Sequence, residues 1–373
     1  MTIEREADAL AALGWDQSFA QAFGAATAAP TVASTAAWSP ARVVAEHRNR
    51  YVVAGAAGER PATLAGRLRH ASRGRDELPA VGDWVAVDRG SHVGVGGVAS
   101  IRLLLPRRSA FRRKVSGEST AAQVVAANVD VVLIVAALPA DANARRIERY
   151  LALAWESGAT PVVVLTKVDL SDDRDRAVAA MRASAPGVDV VALSALTGEG
   201  VSALDGYLHA GRTAVLLGSS GVGKSTLVNR LLGQERLRTN AVREDGKGRH
   251  TTTHRELVRL ASGALLIDTP GMRELQLWDA DAGLDTAFLD VESVARGCRF
   301  RDCRHQAEPG CAVRVAIAAG RLDGERVNHW HKLQRELAHL AMRQDELAAA
   351  AERSRSKVIE RAVRVHLRRK YRS

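Results

Sequence analysis

The chain has 373 residues, 46% of them hydrophobic and 25% charged, with a formal net charge of +11 and a pI near 10.2. That leaves room for two or three domains of ~100–200 residues and excludes a disordered or fibrous chain; no apolar run reaches the ~18 residues of a membrane helix. The positive excess points to a polyanionic partner such as RNA or DNA, while aromatics at 4% do not advertise a stacking platform for single strands.

From the start, Leu10, Leu13, Phe19 and Phe23 give partial helical spacing, so residues 1–24 read as one short amphipathic helix. The acids of MTIEREADAL stand where a secretion signal has a basic start, so a cytoplasmic protein without a membrane partner is expected. The Ala/Thr/Pro-rich GAATAAPTVASTAAWSP reads as a linker, giving an N-terminal extension over 1–40. Residues 41–110 break into five short β-like runs, ARVVAEH, RYVVAG, ATLAGRLRH, GDWVAVD and GVGGVASIRLLLP. Five strands in so short a span predict a small barrel of the OB type. A basic cluster, LPRRSAFRRK at 105–114, closes this region.

From about 120 the rhythm changes. The apolar runs VDVVLIVAAL, TPVVVLTKVDL, VDVVALSAL, TAVLL and GALLIDTPGM alternate with helical stretches such as ARRIERYLALAWESG. Such runs separated by helices predict a doubly wound parallel sheet over 111–279. Residues 280–345 read as a helical domain holding every cysteine, and 346–373 as a basic helix. Between Arg353 and Ser373 nine Lys/Arg face one acid, Glu360.

The chemistry concentrates in the parallel-sheet region. GSSGVGKST, from Gly218 to Thr226, matches the phosphate-cradling pattern G-x-x-x-x-G-K-[ST] and sits between a strand and a helix. Gly218, Gly221 and Gly223 let the backbone N–H groups face a β-phosphate, Lys224 would reach the β- and γ-phosphates, and the Ser225 hydroxyl would take a place on Mg²⁺. In IDTPG, at another strand end, Asp268 would hold Mg²⁺ through water and the Gly271 N–H would meet the γ-phosphate. Asp169 of TKVD can accept from two guanine donors at once, with Lys167 along the base. Thr166 stands where GTPases usually have Asn, so one polar contact near the base edge is expected to be weaker. Ser194 and Ala195 open a SAL loop suited to receive guanine O6. Between phosphate loop and DTPG, REDGKGRHTTTH fits a switch, with Thr251 or Thr252 closing on Mg²⁺.

Loop order is therefore base-reading, SAL, phosphate, switch, DTPG, a circular permutation of the usual GTPase. This is permissible because ligands bind at the carboxyl ends of parallel strands whatever the chain order. Met272 follows DTPG where many GTPases place a water-orienting Gln. Unaided hydrolysis is then expected near the ~10⁻⁴ s⁻¹ of an unassisted small GTPase, with a partner or a group such as His250 completing the site.

All three cysteines lie within CRFRDCRHQAEPGC, where Cys298, Cys303, His305 and Cys311 form C-x4-C-x-H-x5-C. Three thiolates and an imidazole make a closed tetrahedral shell for one structural zinc, and an odd cysteine count argues against disulfides.

With TKVD, SAL, GSSGVGKST, GRHTTT, DTPG and the Cys/His cluster in this order, the sequence resembles the ribosome small-subunit-dependent GTPase RsgA (YjeQ/YloQ) family over roughly 41–340. The resemblance implies an OB domain, a permuted GTPase domain and a zinc domain. It further implies GTP/GDP bound by Thr166, Lys167, Val168 and Asp169 and by Gly218, Ser219, Ser220, Gly221, Val222, Gly223, Lys224, Ser225 and Thr226. Implied partners are the small ribosomal subunit with its rRNA and the assembly factor RbfA, with the protein acting as a monomer. Two other classes compete. A non-catalytic RNA-binding adaptor is favoured by Met272, and an ATP-using P-loop kinase is disfavoured by TKVD.

Overall fold

In a computed structural model of the chain the described residues are 2–28, 38–47, 50–72, 74–88, 97–114, 122–138, 143–233, 255–268, 281–338 and 341–342. The N-terminal extension forms two helices rather than one, α1 (Thr2–Ala11) and α2 (Gln17–Thr27). Gly14 turns the chain at φ 84°, and the Asp16 carboxylate then caps α2 by accepting from the Ser18 and Phe19 N–H groups at 2.9 and 3.2 Å. The expected linker is also shorter than 25–40, because strand β1 starts at Trp38.

Strands β1 (Trp38–His47), β2 (Arg50–Gly55), β3 (Gly58–Leu64), β4 (Trp84–Asp88) and β5 (Ala99–Leu104) pair in the order β1-β2-β3-β5-β4, and β1 also pairs β4. The sheet therefore closes on itself, with β3 and β5 parallel, as in an OB barrel. The run ATLAGRLRH, expected to be all strand, changes at Ala65 into helix α3 (Gly66–Ala71). Two more strands, β6 (Ala110–Lys114) and β7 (Ala122–Ala127), form a separate antiparallel ribbon.

Beyond the ribbon come β8 (Val131–Ala137), α4 (Ala144–Ser157), β9 (Thr160–Thr166), α5 (Arg174–Ser184), β10 (Asp189–Ala192), β11 (Thr213–Leu217), α6 (Lys224–Leu232), β12 (Arg255–Arg259) and β13 (Leu265–Asp268). Their order is β10-β9-β8-β11-β13-β12, parallel except for β12. Every residue of β8 is buried, as a central strand covered on both faces requires. Sheet and barrel are continuous, because β1 pairs β12 with Glu46 opposite Arg255, whose guanidinium reaches the Glu46 carboxylate at 3.0 Å.

The N-terminal helices close this junction. Trp15, Phe19, Trp84 and Leu105 pack together, with Trp15 edge-on to Trp84 at 4.7 Å between centroids. Beneath them Arg42 is 1% exposed and donates to three carbonyls, Leu13, Gly82 and Asn128, at 2.5, 3.1 and 3.1 Å. Burial pushes its guanidinium down to about 10, still charged at neutral pH. Two of the five cations of the expected basic cluster are likewise paired within the chain. Arg107 holds the buried Asp83 carboxylate at 2.8 Å, and Arg108 lies 3.8 Å over the Phe19 ring while pairing with Asp16.

The C-terminal part comprises α7 (Asp281–Ala287), α8 (Leu289–Ala295), α9 (Ala312–Ala318) and α10 over 324–338. Gly283 lets α7 lie against α4, for a Cβ there would sit 2.2 Å from the Ala152 carbonyl. The contact is sealed by a buried charge network. Arg326 donates to Glu148 at 2.6 Å and twice to Asp290 at 2.9 Å, and His329 shares Glu148. Removing one member of such a set strands the others, so Arg326→Ala is expected to cost ~3–5 kcal/mol of stability. Urea unfolding measures it, and a loss below about 1 kcal/mol, the scale of an ordinary surface change, would make the network dispensable.

The basic C-terminal stretch over 346–373 lies outside the described residues.

Candidate nucleotide site and metal centre

Parallel strands bring their carboxyl ends to one edge, and the register shows which loops meet there. Leu217 of β11 stands opposite Ile134, Ala137 of β8 opposite Thr166, and Leu165 of β9 opposite Ala192. The phosphate loop after β11, the TKVD loop after β9 and the SAL loop after β10 thus emerge side by side. Asp268 ends β13, the other neighbour of β11.

The phosphate loop fits its place through Gly218, which holds φ at 146°; a Cβ there would lie 2.2 Å from the Val135 carbonyl. At its far end Gly223 precedes α6, whose first residues are Lys224 and Ser225. The Lys224 ammonium donates to the carbonyls of Gly218, at 2.6 Å, and of Ser219. A flexible, fully charged stem folded onto carbonyls can exchange them for phosphate oxygens without moving the backbone.

The TKVD and GSSGVGKST loops are joined directly. The Thr166 hydroxyl is 1% exposed and lies 2.6 Å from the Val222 carbonyl and 3.2 Å from that of Ala136. This side chain faces the GSSGVGKST loop, and its hydroxyl ties two loops 56 residues apart. Lys167 follows at φ 59°, one of three non-glycine residues in the left-handed region among those described. Such strain persists where surrounding structure enforces it. Asp169 is exposed at the same edge.

The SAL loop has its own anchor. Ser194 is fully buried, its hydroxyl accepting from the Thr197 N–H at 3.1 Å. Arg230 of α6 donates to the carbonyls of Ala195 and Leu196 at 3.1 and 2.7 Å, so the helix that opens with Lys224 also clamps this loop. Sequence reading passed over Arg230, and also Arg146 of α4, whose guanidinium donates to the Ser219 hydroxyl at 2.7 Å. Neither has a local spacing signal, since their partners lie 34–35 and 73 residues away. His250, Thr251, Thr252, Gly271 and Met272 lie outside the described residues.

The cysteine cluster closes around one point. His305 Nδ1 stands 3.4 Å from the Cys298 sulfur and 3.5 Å from that of Cys311, and the two sulfurs are 4.0 Å apart. With Cys303 all four donor atoms fall within 4.8 Å of one another. Zinc bonds of ~2.3 Å to sulfur and ~2.0–2.1 Å to nitrogen, set tetrahedrally, require S···N near 3.5 Å and S···S near 3.8 Å. The donor set fits. Burial and the neighbouring thiols push Cys303 up to about 11, while at Cys298 burial is outweighed by the Val313 and Ala312 N–H groups and the thiol falls below its ordinary value. Burial also lowers His305, keeping its imidazole neutral and able to ligate.

A protein from Opitutus terrae named small ribosomal subunit biogenesis GTPase RsgA is 50% identical over 96% of this chain and 98% of its own length. The chain belongs to the RsgA family of GTPases. A family model described as RsgA GTPase matches residues 104–278, which span all three loops. The RsgA protein of Xylella fastidiosa is 50% identical over 82% of this chain and 87% of its own. Among solved structures, YjeQ from Thermotoga maritima superposes with a TM-score of 0.61 at 27% identity, covering 81% of this chain and 99% of that one. YloQ, described as a circularly permuted GTPase, shares the fold at a TM-score of 0.59 and 23% identity, over 81% and 96% of the two chains. As an RsgA-family GTPase the chain hydrolyses GTP on this permuted sheet, flanked by the OB barrel and the helical Cys/His region.

Proposed function

We propose that this RsgA-family GTPase acts as a switch on the small ribosomal subunit during its late maturation: bound with GTP, released after hydrolysis. The site is read as follows. Asp169 and Lys167 hold the guanine, the Ala195 N–H meets its O6, and residues 218–226 cradle the phosphates with Lys224 on the transferring group. Ser225 and Asp268 hold Mg²⁺, Asp268 through water, while Thr251 or Thr252 and Gly271 close on the γ-phosphate. The bond between Thr166 and the Val222 carbonyl supports this reading, since it joins two loops that are distant in the chain.

The partner reading rests on the names of the Opitutus and Xylella relatives and on the positive charge. An exposed Arg112 on the β6–β7 ribbon and the basic 353–373 segment supply cations for ribosomal RNA phosphates. Release of the assembly factor RbfA, action as a cytoplasmic monomer, one structural zinc on Cys298, Cys303, His305 and Cys311, and domains over 41–110, 111–279 and 280–345 complete the proposal. Purified small subunits are expected to raise GTP hydrolysis by orders of magnitude, and large subunits to leave it unchanged. The measurement is phosphate release with each particle. No stimulation by either would overturn the switch reading.

A further inference from the structure

We propose that Arg230 is a positioning residue for guanine recognition: reaching across from α6, it fixes the SAL loop so that the Ala195 N–H is held ready for O6 of the base. The inference rests on reading that N–H as the partner of guanine O6. Its structural basis is one guanidinium on two consecutive carbonyls of the loop. Arg230 donates through Nε to the Ala195 carbonyl at 3.1 Å and through Nη2 to the Leu196 carbonyl at 2.7 Å. A guanidinium presents its donors in a rigid planar fork, so it orients both acceptors at once.

Peptide planarity turns these bonds into control of the Ala195 N–H. A trans peptide points its carbonyl and its N–H to opposite sides. The Ser194–Ala195 plane is set by the Ser194 carbonyl, which accepts from the Gly198 N–H at 2.9 Å. That bond directs the Ala195 N–H away from the inside of the turn. The next plane is set by the Ala195 carbonyl on Arg230. The third is gripped from both sides, its Leu196 carbonyl on Arg230 and its Thr197 N–H on the Ser194 hydroxyl at 3.1 Å. With the planes on either side of its Cα held, Ala195 keeps its φ and ψ, and its N–H does not swing.

The helix places the arginine for this task. Leu227 and Val228 of α6 share a buried apolar cluster with Ala195, so helix and loop belong to one packed unit. Arg230 stands six residues beyond Lys224 on the same helix, ~9 Å along its axis. One rigid element therefore carries the cation of the phosphate cradle at its first residue and the clamp of the base loop near its end. The other flank of the loop has a weaker hold. Arg174 pairs there with the Glu199 carboxylate, but both side chains are exposed, and a pair of that kind adds little. It also grips a side chain that rotates independently of the backbone, whereas Arg230 grips the peptide planes themselves.

The test is equilibrium binding of GTP, 6-thioguanosine triphosphate and inosine triphosphate to the full chain and to its Arg230→Ala and Arg230→Lys variants. Sulfur at position 6 is a poor acceptor, so the preference for GTP over the thio analogue reads the O6 contact. Inosine keeps O6 and lacks the 2-amino group, so the preference for GTP over the inosine nucleotide reads Asp169 instead. The parent is expected to prefer GTP over the thio analogue by ~3–10-fold, the scale of one hydrogen bond. In Arg230→Ala that preference should fall to within about twofold, while the preference over the inosine nucleotide stays. Arg230→Lys should recover part of it, because an ammonium has no planar fork to hold two carbonyls. With circular dichroism as the fold control, the lysine variant carries the test alone if the alanine variant does not fold. An undiminished preference for O6 in the variants would overturn the inference, as would an equal loss of affinity for all three nucleotides, the mark of a displaced helix. The underlying reading fails separately: a parent that binds GTP and the thio analogue equally well would remove the SAL loop from the base.

Discussion

Lys224→Ala is expected to lower GTP turnover at least ~10³-fold, the scale seen when a charged donor on a transferring phosphoryl group is removed. In the structure the ammonium is held by the Gly218 and Ser219 carbonyls. On the proposed reading of 218–226 as the phosphate cradle, binding GTP would exchange these two carbonyls for a polyanion. That exchange strengthens as negative charge moves onto the bridging oxygen, so the loss falls on kcat as well as on affinity. The variant should remain folded, because Gly218 stays packed against Val135 and Thr166 stays on the Val222 carbonyl, neither depending on the lysine. Single-turnover phosphate release, with circular dichroism as the fold control, measures the effect. Turnover within tenfold of the parent would move the phosphates to another loop.

How far the sequence could be read depends on the range of the interactions that decide each element. The Val/Ile/Leu runs of β8, β9 and β11 are buried because a two-faced parallel strand needs nothing else, and a local pattern carries that information. The loops were legible for the same reason: GSSGVGKST states its backbone requirements in its own glycines. The N-terminal break was written in Gly14 and Asp16, but partial helical spacing on both sides masked it. Six residues of α3 are too few for a periodicity to register. In the basic run at 105–114 the internal pairing of two cations was not legible, because charge was counted without partners. Arg107 finds Asp83 24 residues away, and Arg108 finds Asp16 92 residues away. Thr166, Arg230 and Arg146 belong to the same class, as each acts on a loop brought near only by the sheet order. A short motif announces a residue that touches a ligand; it is silent about the residue that holds the motif in place.

Loss of the metal is expected to have the second large effect, and a confined one. Zinc contributes ~10–16 kcal/mol to the folding of zinc-finger peptides, so a cluster without it should not hold its shape. Purified chain should carry one zinc, and Cys298→Ala should carry none. The change should melt residues 298–311 and the start of α9, where Cys311 is the N-cap and its sulfur accepts from the Arg314 N–H at 3.5 Å. Trp330 reports on this from α10, being 4% exposed with its ring 5.6 Å from that of His305. Its emission should shift to the red. The disturbance should stop at the charge network, for Arg326, Glu148 and Asp290 hold α8 and α10 on α4 without the metal. Unstimulated GTP hydrolysis is therefore expected to stay within about twofold, a surface-scale change, while hydrogen exchange rises across 298–318. Metal analysis showing zinc retained in Cys298→Ala would remove that thiol from the shell. Unstimulated turnover falling in step with zinc content would mean that the cluster supports the nucleotide loops directly, across α4, rather than a surface of its own.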